Sequence, residues 1–225
     1  RWSVMTERSL ILGASGGIGS ALMARLQGMG EVVGLSRSGD GFDITDEASV
    51  AQHLGALDGP FDRIIVATGA LEIDGAEPEK TLRALDPEAM AAQFRLNTIG
   101  PALAIKHAMP LMPRDGRSVL AVLSARVGSI GDNRLGGWVS YRAAKSAVNQ
   151  VVRVASIELA RTHKGAVCVA LHPGTVRTEF TRKYLGRHPA VEPEAAAQNL
   201  LSVMDGLTPE DSGGFFDWAG KPVPW

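Results

Sequence analysis

Residues 8–22, RSLILGASGGIGSAL, set an apolar run of strand length directly before three glycines, Gly13, Gly17 and Gly19, and a helix-forming stretch directly after them. Glycines at this spacing let a backbone turn sharply and come close to a pyrophosphate. The N–H groups that open the following helix then meet the phosphate charge. A glycine-rich turn by itself says little, but between a first strand and a first helix it stands in the context that a dinucleotide site requires. This reading predicts an α/β protein with a parallel sheet.

The rest of the chain repeats the alternation. Further apolar runs lie at 31–36, 62–67, 117–124, 166–172 and 214–217, without the polar alternation of a half-exposed strand. Helical spacing fills 17–29, 46–57, 86–111, 140–162 and 192–206. Asp46 and Asp86 stand as N-caps, with Pro87 at the first helical position. The pattern predicts a single-domain Rossmann fold over 1–225, a doubly wound parallel sheet flanked by helices on both faces, with 1–7 as a loose leader. In such a sheet, ligands bind beyond the carboxyl ends of the strands. The residues that follow Leu12, Ser36, Ala67, Ser124 and His172 are therefore expected to line one cleft.

Composition narrows the partners. A net charge of −1, with both signs interspersed, leaves no footprint for nucleic acid or an acidic membrane and favours a small-molecule partner. No apolar run is long enough to span a bilayer, and the first residues lack the apolar centre of a signal peptide, so the chain is expected in the cytoplasm. Cys168, the one cysteine, reads as a small buried hydrophobe. His53, His107, His163 and His188 show no spacing for metal ligation, and no metal site is expected.

At the end of the second run stand Ser36 and Arg37, where an acidic residue would bind the ribose 2′-hydroxyl of NAD. Arg37 suits a 2′-phosphate instead, so NADP(H) is the preferred cofactor, with NAD(H) possible and Asp40 nearby as a complication. The stretch 37–43 is too short for a crossover helix. It predicts a brief third strand at Phe42–Ile44, with Asp43 placed to accept from an adenine amino group. Tyr141 and Lys145, four residues apart, project from one helix face, where a cation would lower the phenol pKa into a range useful for acid-base work. In 95–104, RLNTIGPALA, Pro101 has no N–H for the carbonyl of Asn97, which frees that carbonyl to hold a water.

Together GASGGIG at 13–19, Asn97, YRAAK at 141–145 and HPGTVRT at 172–178 resemble the short-chain dehydrogenase/reductase family over nearly the whole chain. The segments 125–138 and 213–225 are similar to its sniffer and C-factor branch. The resemblance implies an NADP(H)-dependent oxidoreductase acting on a small carbonyl or alcohol. Tyr141 would be the general acid, Lys145 would hold the nicotinamide ribose and lower the tyrosine pKa, and the carbonyl of Asn97 would hold a relay water. Cofactor contacts would come from Gly13, Ser15, Gly16, Gly17, Ile18 and Gly19, then from Ser36, Arg37, Asp43 and Ile44, then from Ala67, Thr68 and Gly69. Asn97, Tyr141, Lys145, Pro173, Gly174, Val176 and Thr178 complete the set.

Three positions depart from the family pattern. Leu12 replaces the threonine before the glycine motif, and Val66–Gly69 replaces the N-N-A-G segment. Ala125 takes the place of the serine that polarises the substrate. Ser124 is then the first candidate for that hydroxyl and Ser129 the second. The lid at 175–189 mixes both charges, and Trp138 is expected on the opposite wall. A homodimer or homotetramer is implied through 86–111 and 140–162, where Val148, Val151, Val152 and Ile157 beside Ala143, Ala144 and Ala147 exceed one buried stripe. A dinucleotide-binding regulatory protein with little turnover is the alternative to an enzyme.

The reading of Arg37 gives the first prediction. Arg37→Asp replaces attraction by repulsion at a 2′-phosphate, so NADP(H) binding should weaken by at least ~10-fold relative to NAD(H). Fluorescence titration of both cofactors checks this, and equal affinity of the parent protein for the two would refute the assignment.

Overall fold

The computed structural model describes residues 7–179, 181–185 and 189–225. Six parallel strands form one sheet: β1 Arg8–Leu12, β2 Glu31–Leu35, β3 Arg63–Val66, β4 Ser118–Leu123, β5 Ala166–His172 and β6 Phe215–Asp217, in the order β2-β1-β3-β4-β5-β6. The chain steps outward from β1 to β2 and then crosses back to place β3 on the other side of β1. The order therefore reverses at the glycine turn, where ligand crevices form in such sheets.

Alternate residues of each strand point to opposite faces, and both faces are covered. On one, Ile11, Ile65, Ala121 and Val169 pack beneath α1 (Gly17–Leu26) and α7 (Pro193–Gly206) through Leu22, Leu200 and Met204. On the other, Leu10, Ile64, Leu120 and Cys168 meet α3 (Glu47–Gly55), α5 (Gly100–Ala108) and α6 (Val139–Thr162) through Leu54, Ile105, Val148 and Val152. Burial pushes the Cys168 thiol up to about 12, so it stays protonated as an apolar core atom. Asp46 and Asp86 cap α3 and α4 (Pro87–Phe94) as their positions suggest, accepting from Ala48 and Ala89 N–H.

Three expectations are corrected. Phe42–Ile44 is not a strand. Gly41 turns the chain in the left-handed region, and the N–H groups of Phe42, Asp43 and Thr45 go to Ser36 O, Ser49 Oγ and Asp43 Oδ1, leaving no ladder to offer β2. A four-residue helix, α2 (Arg37–Asp40), occupies the preceding stretch. Glu7, at the end of the expected leader, is tied down: its carboxylate pairs with buried Arg63 at 2.8 Å and its carbonyl accepts from Glu31 N–H. The remainder of that leader, 1–6, and His188 lie outside the described residues. Finally, Val148 and Val152 are fully buried in the core. The apolar side chains that α6 leaves in solvent are Val154 and Ile157, with Ile99 at the end of the preceding π-turn.

Backbone contact between β1 and α1 depends on glycine. Gly13 has φ +97°, and a Cβ added at Gly19 would stand 2.0 Å from the Gly13 carbonyl oxygen. Gly19→Ala should therefore force α1 away from β1 and cost on the order of 3 kcal/mol or more. Gly55→Ala, whose Cβ meets nothing within 4 Å, should be neutral or stabilising by up to about 1 kcal/mol. Urea denaturation of both variants checks the contrast.

Candidate active site

Loops from five strand ends converge at one edge of the sheet. Gly13 and Ala14 N–H both donate to Leu35 O, and a Cβ on Gly13 would touch Ala67 and Thr68 at 3.0 Å. On the far side of the turn, a Cβ on Gly17 would lie 2.6 Å from Thr178 Cγ2, so the loop after β5 closes against the glycine turn. Val176 is buried and bridges to Val191, while Gly174 turns at φ +81° against Trp218. Thus 13–19, 67–69 and 173–178, distant in sequence, come together as expected.

These residues fit a dinucleotide. Helix α1 opens at Gly16 with no side-chain cap and no acidic residue in its first turn, so its N–H groups remain available to an anion. Thr68 Oγ1 is buried beside the turn with no partner among the described residues. Arg37 is exposed, and its guanidinium makes no hydrogen bond or ion pair among those residues.

Three other expected contacts also have partners within the chain. Ser36 caps α2: its Oγ accepts from Gly39 N–H at 3.0 Å, and its own N–H donates to Asp40 Oδ2 at 2.8 Å. Asp43 Oδ1 accepts from Thr45 N–H and Oγ1, which holds its carboxyl below the usual range, with Arg37 adding a smaller pull. Ile44 is buried against Gly100 in the core.

The middle of the cleft is built on α6. Lys145 is 3% exposed and donates from Nζ to Leu123 O at 3.0 Å. A Cβ on Gly69 would be 3.4 Å from that ammonium and 2.8 Å from Asn97 Oδ1, which places Lys145, Asn97 and Gly69 around one point. Tyr141, one turn earlier, is also buried, its ring centroid 5.8 Å from Lys145 Nζ. Burial pushes the phenol up and the ammonium down to about 8. The expected lowering of the tyrosine by its neighbour is not seen: burial acts on the phenol in the opposite sense.

Asn97 sits in a π-turn, Arg95–Ile99, between α4 and α5. Pro101 cannot donate to the Asn97 carbonyl, and the wider turn absorbs the break, a feature common at functional sites. Its side chain is pinned, with Nδ2 donating to Ala70 O at 2.9 Å and to Gln93 Oε1 at 2.7 Å. Both candidate serines bond within the chain. Ser124 Oγ donates to Asn149 Oδ1 at 2.6 Å, Ser129 Oγ donates to Pro224 O, and both residues are buried.

Sequence reasoning missed two supporting residues. Gln93, one turn before Asn97, was visible as a same-face neighbour. Glu79 had no local signal: its carboxylate meets Ser140, 61 residues on. A cavity of about 790 Å³ lies along the other flank of α6, lined by Asn149, Arg153, Phe215 and Trp225 and not by Tyr141. Among the described residues no helix is long and apolar enough to cross a membrane. No group of three or more His, Cys, Asp or Glu that could hold a metal is found among them.

Residues 13–215 match the protein family described as Enoyl-(Acyl carrier protein) reductase. The chain belongs to the short-chain dehydrogenase/reductase family. Within it, the chain is 32% identical to 1-hydroxy-2-glutathionyl-2-methyl-3-butene dehydrogenase of Rhodococcus sp. strain AD45, over 96% of this chain and 98% of that protein. It is 36% identical to the C-signal protein of Myxococcus xanthus over 60% of this chain and 78% of that protein. The fold superimposes on an NADPH-bound carbonyl reductase from chicken fatty liver with a TM-score of 0.83, covering 98% and 99% of the two chains at 24% identity. The chain is accordingly an oxidoreductase of the short-chain dehydrogenase/reductase type, with the parallel six-stranded sheet that such proteins share.

The buried lysine gives a stability prediction. Its pKa is lower in the native state than in the unfolded chain, so between about pH 8 and 10.5 the native state binds fewer protons, and stability rises with pH across that window. Lys145→Met should abolish this rise and raise stability at pH 7 by on the order of a few kcal/mol. Urea melts at pH 7 and pH 9.5 check it. A variant no more stable than the parent at pH 7 would show that the ammonium is better solvated than its burial implies.

Proposed function

We propose that the protein is an NADP(H)-dependent carbonyl reductase or alcohol dehydrogenase acting on a small carbonyl or alcohol. The observation that carries this is the buried Tyr141–Lys145 pair at the carboxyl edge of the sheet, with Asn97 and Gly69 around the ammonium. NADP(H), when bound, supplies or accepts hydride. The remaining work belongs to the chain. Tyr141 donates its proton to the carbonyl oxygen, Lys145 holds the cofactor ribose and stabilises the phenolate left behind, and the Asn97 carbonyl orders a water that reprotonates the pair. Arg37 supports NADP(H) over NAD(H), because its guanidinium is exposed just after β2 with no hydrogen bond or ion pair among the described residues, and suits a 2′-phosphate. Gly13 to Gly19, Ala67, Thr68, Pro173, Gly174, Val176 and Thr178 are the cofactor contacts on this reading.

Trp138 supports an apolar, flat substrate group. Its ring stands edge-on to Tyr141, with centroids 6.4 Å apart, and on its own account meets Tyr184 edge-on at 5.6 Å, so one aromatic side chain borders the phenol and a second backs it. The Rhodococcus dehydrogenase bears a name that specifies an alcohol carrying a bulky thioether, which fits oxidation as well as reduction at such a site. Exposed Val154, Ile157 and Ile99 favour a homodimer or homotetramer, and light scattering at micromolar concentration would report a monomer if this is wrong.

A second reading, a dinucleotide-binding regulatory protein with little turnover, is favoured by one observation: Ala125 stands where the family has its polarising serine, while Ser124 and Ser129 bond within the chain. Likeness to the C-signal protein is compatible with it. NADPH consumption with a panel of aldehydes and ketones separates the two. For an enzyme, Tyr141→Phe should lower turnover by at least ~100-fold while NADPH affinity stays within about twofold. Full activity in Tyr141→Phe toward a confirmed substrate would sink the mechanism.

A further inference from the structure

Helix α6 has no cap of its own. Trp138, at its N-cap, carries an indole where a short oxygen-bearing side chain usually stands, lies in the left-handed region at φ +52°, and makes no side-chain bond to the first turn. That turn contains no acidic residue. A 24-residue helix would thus present its first N–H groups, and the positive end of its dipole, without a partner.

Glu79, in the loop after β3, supplies both. Its carboxylate accepts from Ser140 N–H at 3.3 Å and from the Ser140 hydroxyl, and its carbonyl accepts from Trp138 N–H at 2.5 Å. Glu79 is 8% exposed and forms no salt bridge among the described residues, so these bonds and the helix end are what offset the cost of burying the charge. The two residues it holds flank the reacting phenol in different ways. Ser140 precedes Tyr141 in the chain, and Trp138 meets the Tyr141 ring edge-on.

We propose that Glu79 is a positioning residue for Tyr141: by gripping Trp138 and Ser140 it fixes the first turn of α6, and with it the direction in which the phenol presents its hydroxyl. The proposal rests on Tyr141 being the proton donor. A donor misplaced by a fraction of an ångström loses turnover while the cofactor, held mainly by other elements, still binds.

Two substitutions separate positioning from general damage. Glu79→Ala removes the carboxylate grip. Glu79→Gln keeps it, because the amide oxygen can accept from Ser140 N–H while the amide nitrogen donates to Ser140 Oγ. Glu79→Ala should lower kcat for carbonyl reduction by at least ~10-fold, leave the NADPH dissociation constant within about twofold, and speed hydrogen–deuterium exchange of the amides of 139–142. Glu79→Gln should return kcat to within about threefold of the parent and restore slow exchange. Parent-like kcat in folded Glu79→Ala, a loss of NADPH binding in step with kcat, or a Gln variant no better than Ala would each overturn the proposal. If Glu79→Ala does not fold, Ser140→Ala, which loses only the hydroxyl contact, should still lower kcat by about threefold or more and speed exchange. No change in either would overturn it. If the parent reduces no carbonyl at all, the reading of Tyr141 has failed. Exchange at 139–142, faster in Ala and slow in Gln, then reports on the Glu79 grip by itself.

Discussion

An ammonium buried to 3% exposure must find an acceptor, and Lys145 finds the carbonyl of Leu123, the last residue of β4. That bond pins a helix to the carboxyl edge of the sheet at a fixed register. Once Lys145 is there, Tyr141 stands one turn nearer the helix start, Asn149 one turn farther on reaches Ser124, and the loop after β3 must pass at Gly69, where a Cβ would crowd both the ammonium and Asn97. Burial also makes the charge costly, lowering its pKa to about 8. The fold carries this cost at the point where the proposed chemistry needs a cation, as functional sites often do.

What the sequence reveals of the fold follows from the kind of sheet it forms. Strands buried on both faces are mostly apolar, so β1, β3, β4 and β5 stand out as runs despite Arg63, and the glycine turn marks the switch point because α1 cannot approach β1 otherwise. Phe42–Ile44 misled for the same reason. Phe42 and Ile44 are buried like strand residues, at 2% and 5% exposure, but the backbone between them spends its hydrogen bonds on Ser36, Ser49 and Asp43. Apolar pattern reports burial, and only a paired ladder makes a strand.

The candidate site divides similarly. Tyr141 and Lys145 lie four apart on one helix, and Asn97 with Pro101 lies on another; each spacing is local but common, and it is their occurrence together with the glycine turn and HPGTVRT that singles them out. Ser36 and Asp43 sit at the right place in the chain, yet each is held by a turn of its own making, a competition that short polar side chains commonly win over longer-range partners. Glu79 was invisible because its meaning depends on Ser140, 61 residues away, and on a helix start whose own residues lack a cap. Spacing ranked Ser124 ahead of Ser129, but it could not show the partner that the fold brings to each, Asn149 in one case and the Pro224 carbonyl in the other.

Those two hydroxyls bear on how a carbonyl could be activated. With Ala125 at the position the family gives to serine, the mechanism proposed above leaves polarisation to Tyr141, whose phenol pKa burial raises. A neutral phenol can both donate a hydrogen bond to the carbonyl oxygen and deliver the proton as negative charge develops there, so reduction asks of it no prior ionisation. Oxidation of an alcohol begins from the phenolate, and in this site that form must be created against desolvation, by the charge of Lys145 and whatever further positive charge enters the cleft. On the proposed reading, the missing serine and the buried phenol therefore act in the same sense: both concentrate carbonyl polarisation and proton transfer on the one hydroxyl of Tyr141, and Lys145 is the cation of this chain that can offset the charge left there.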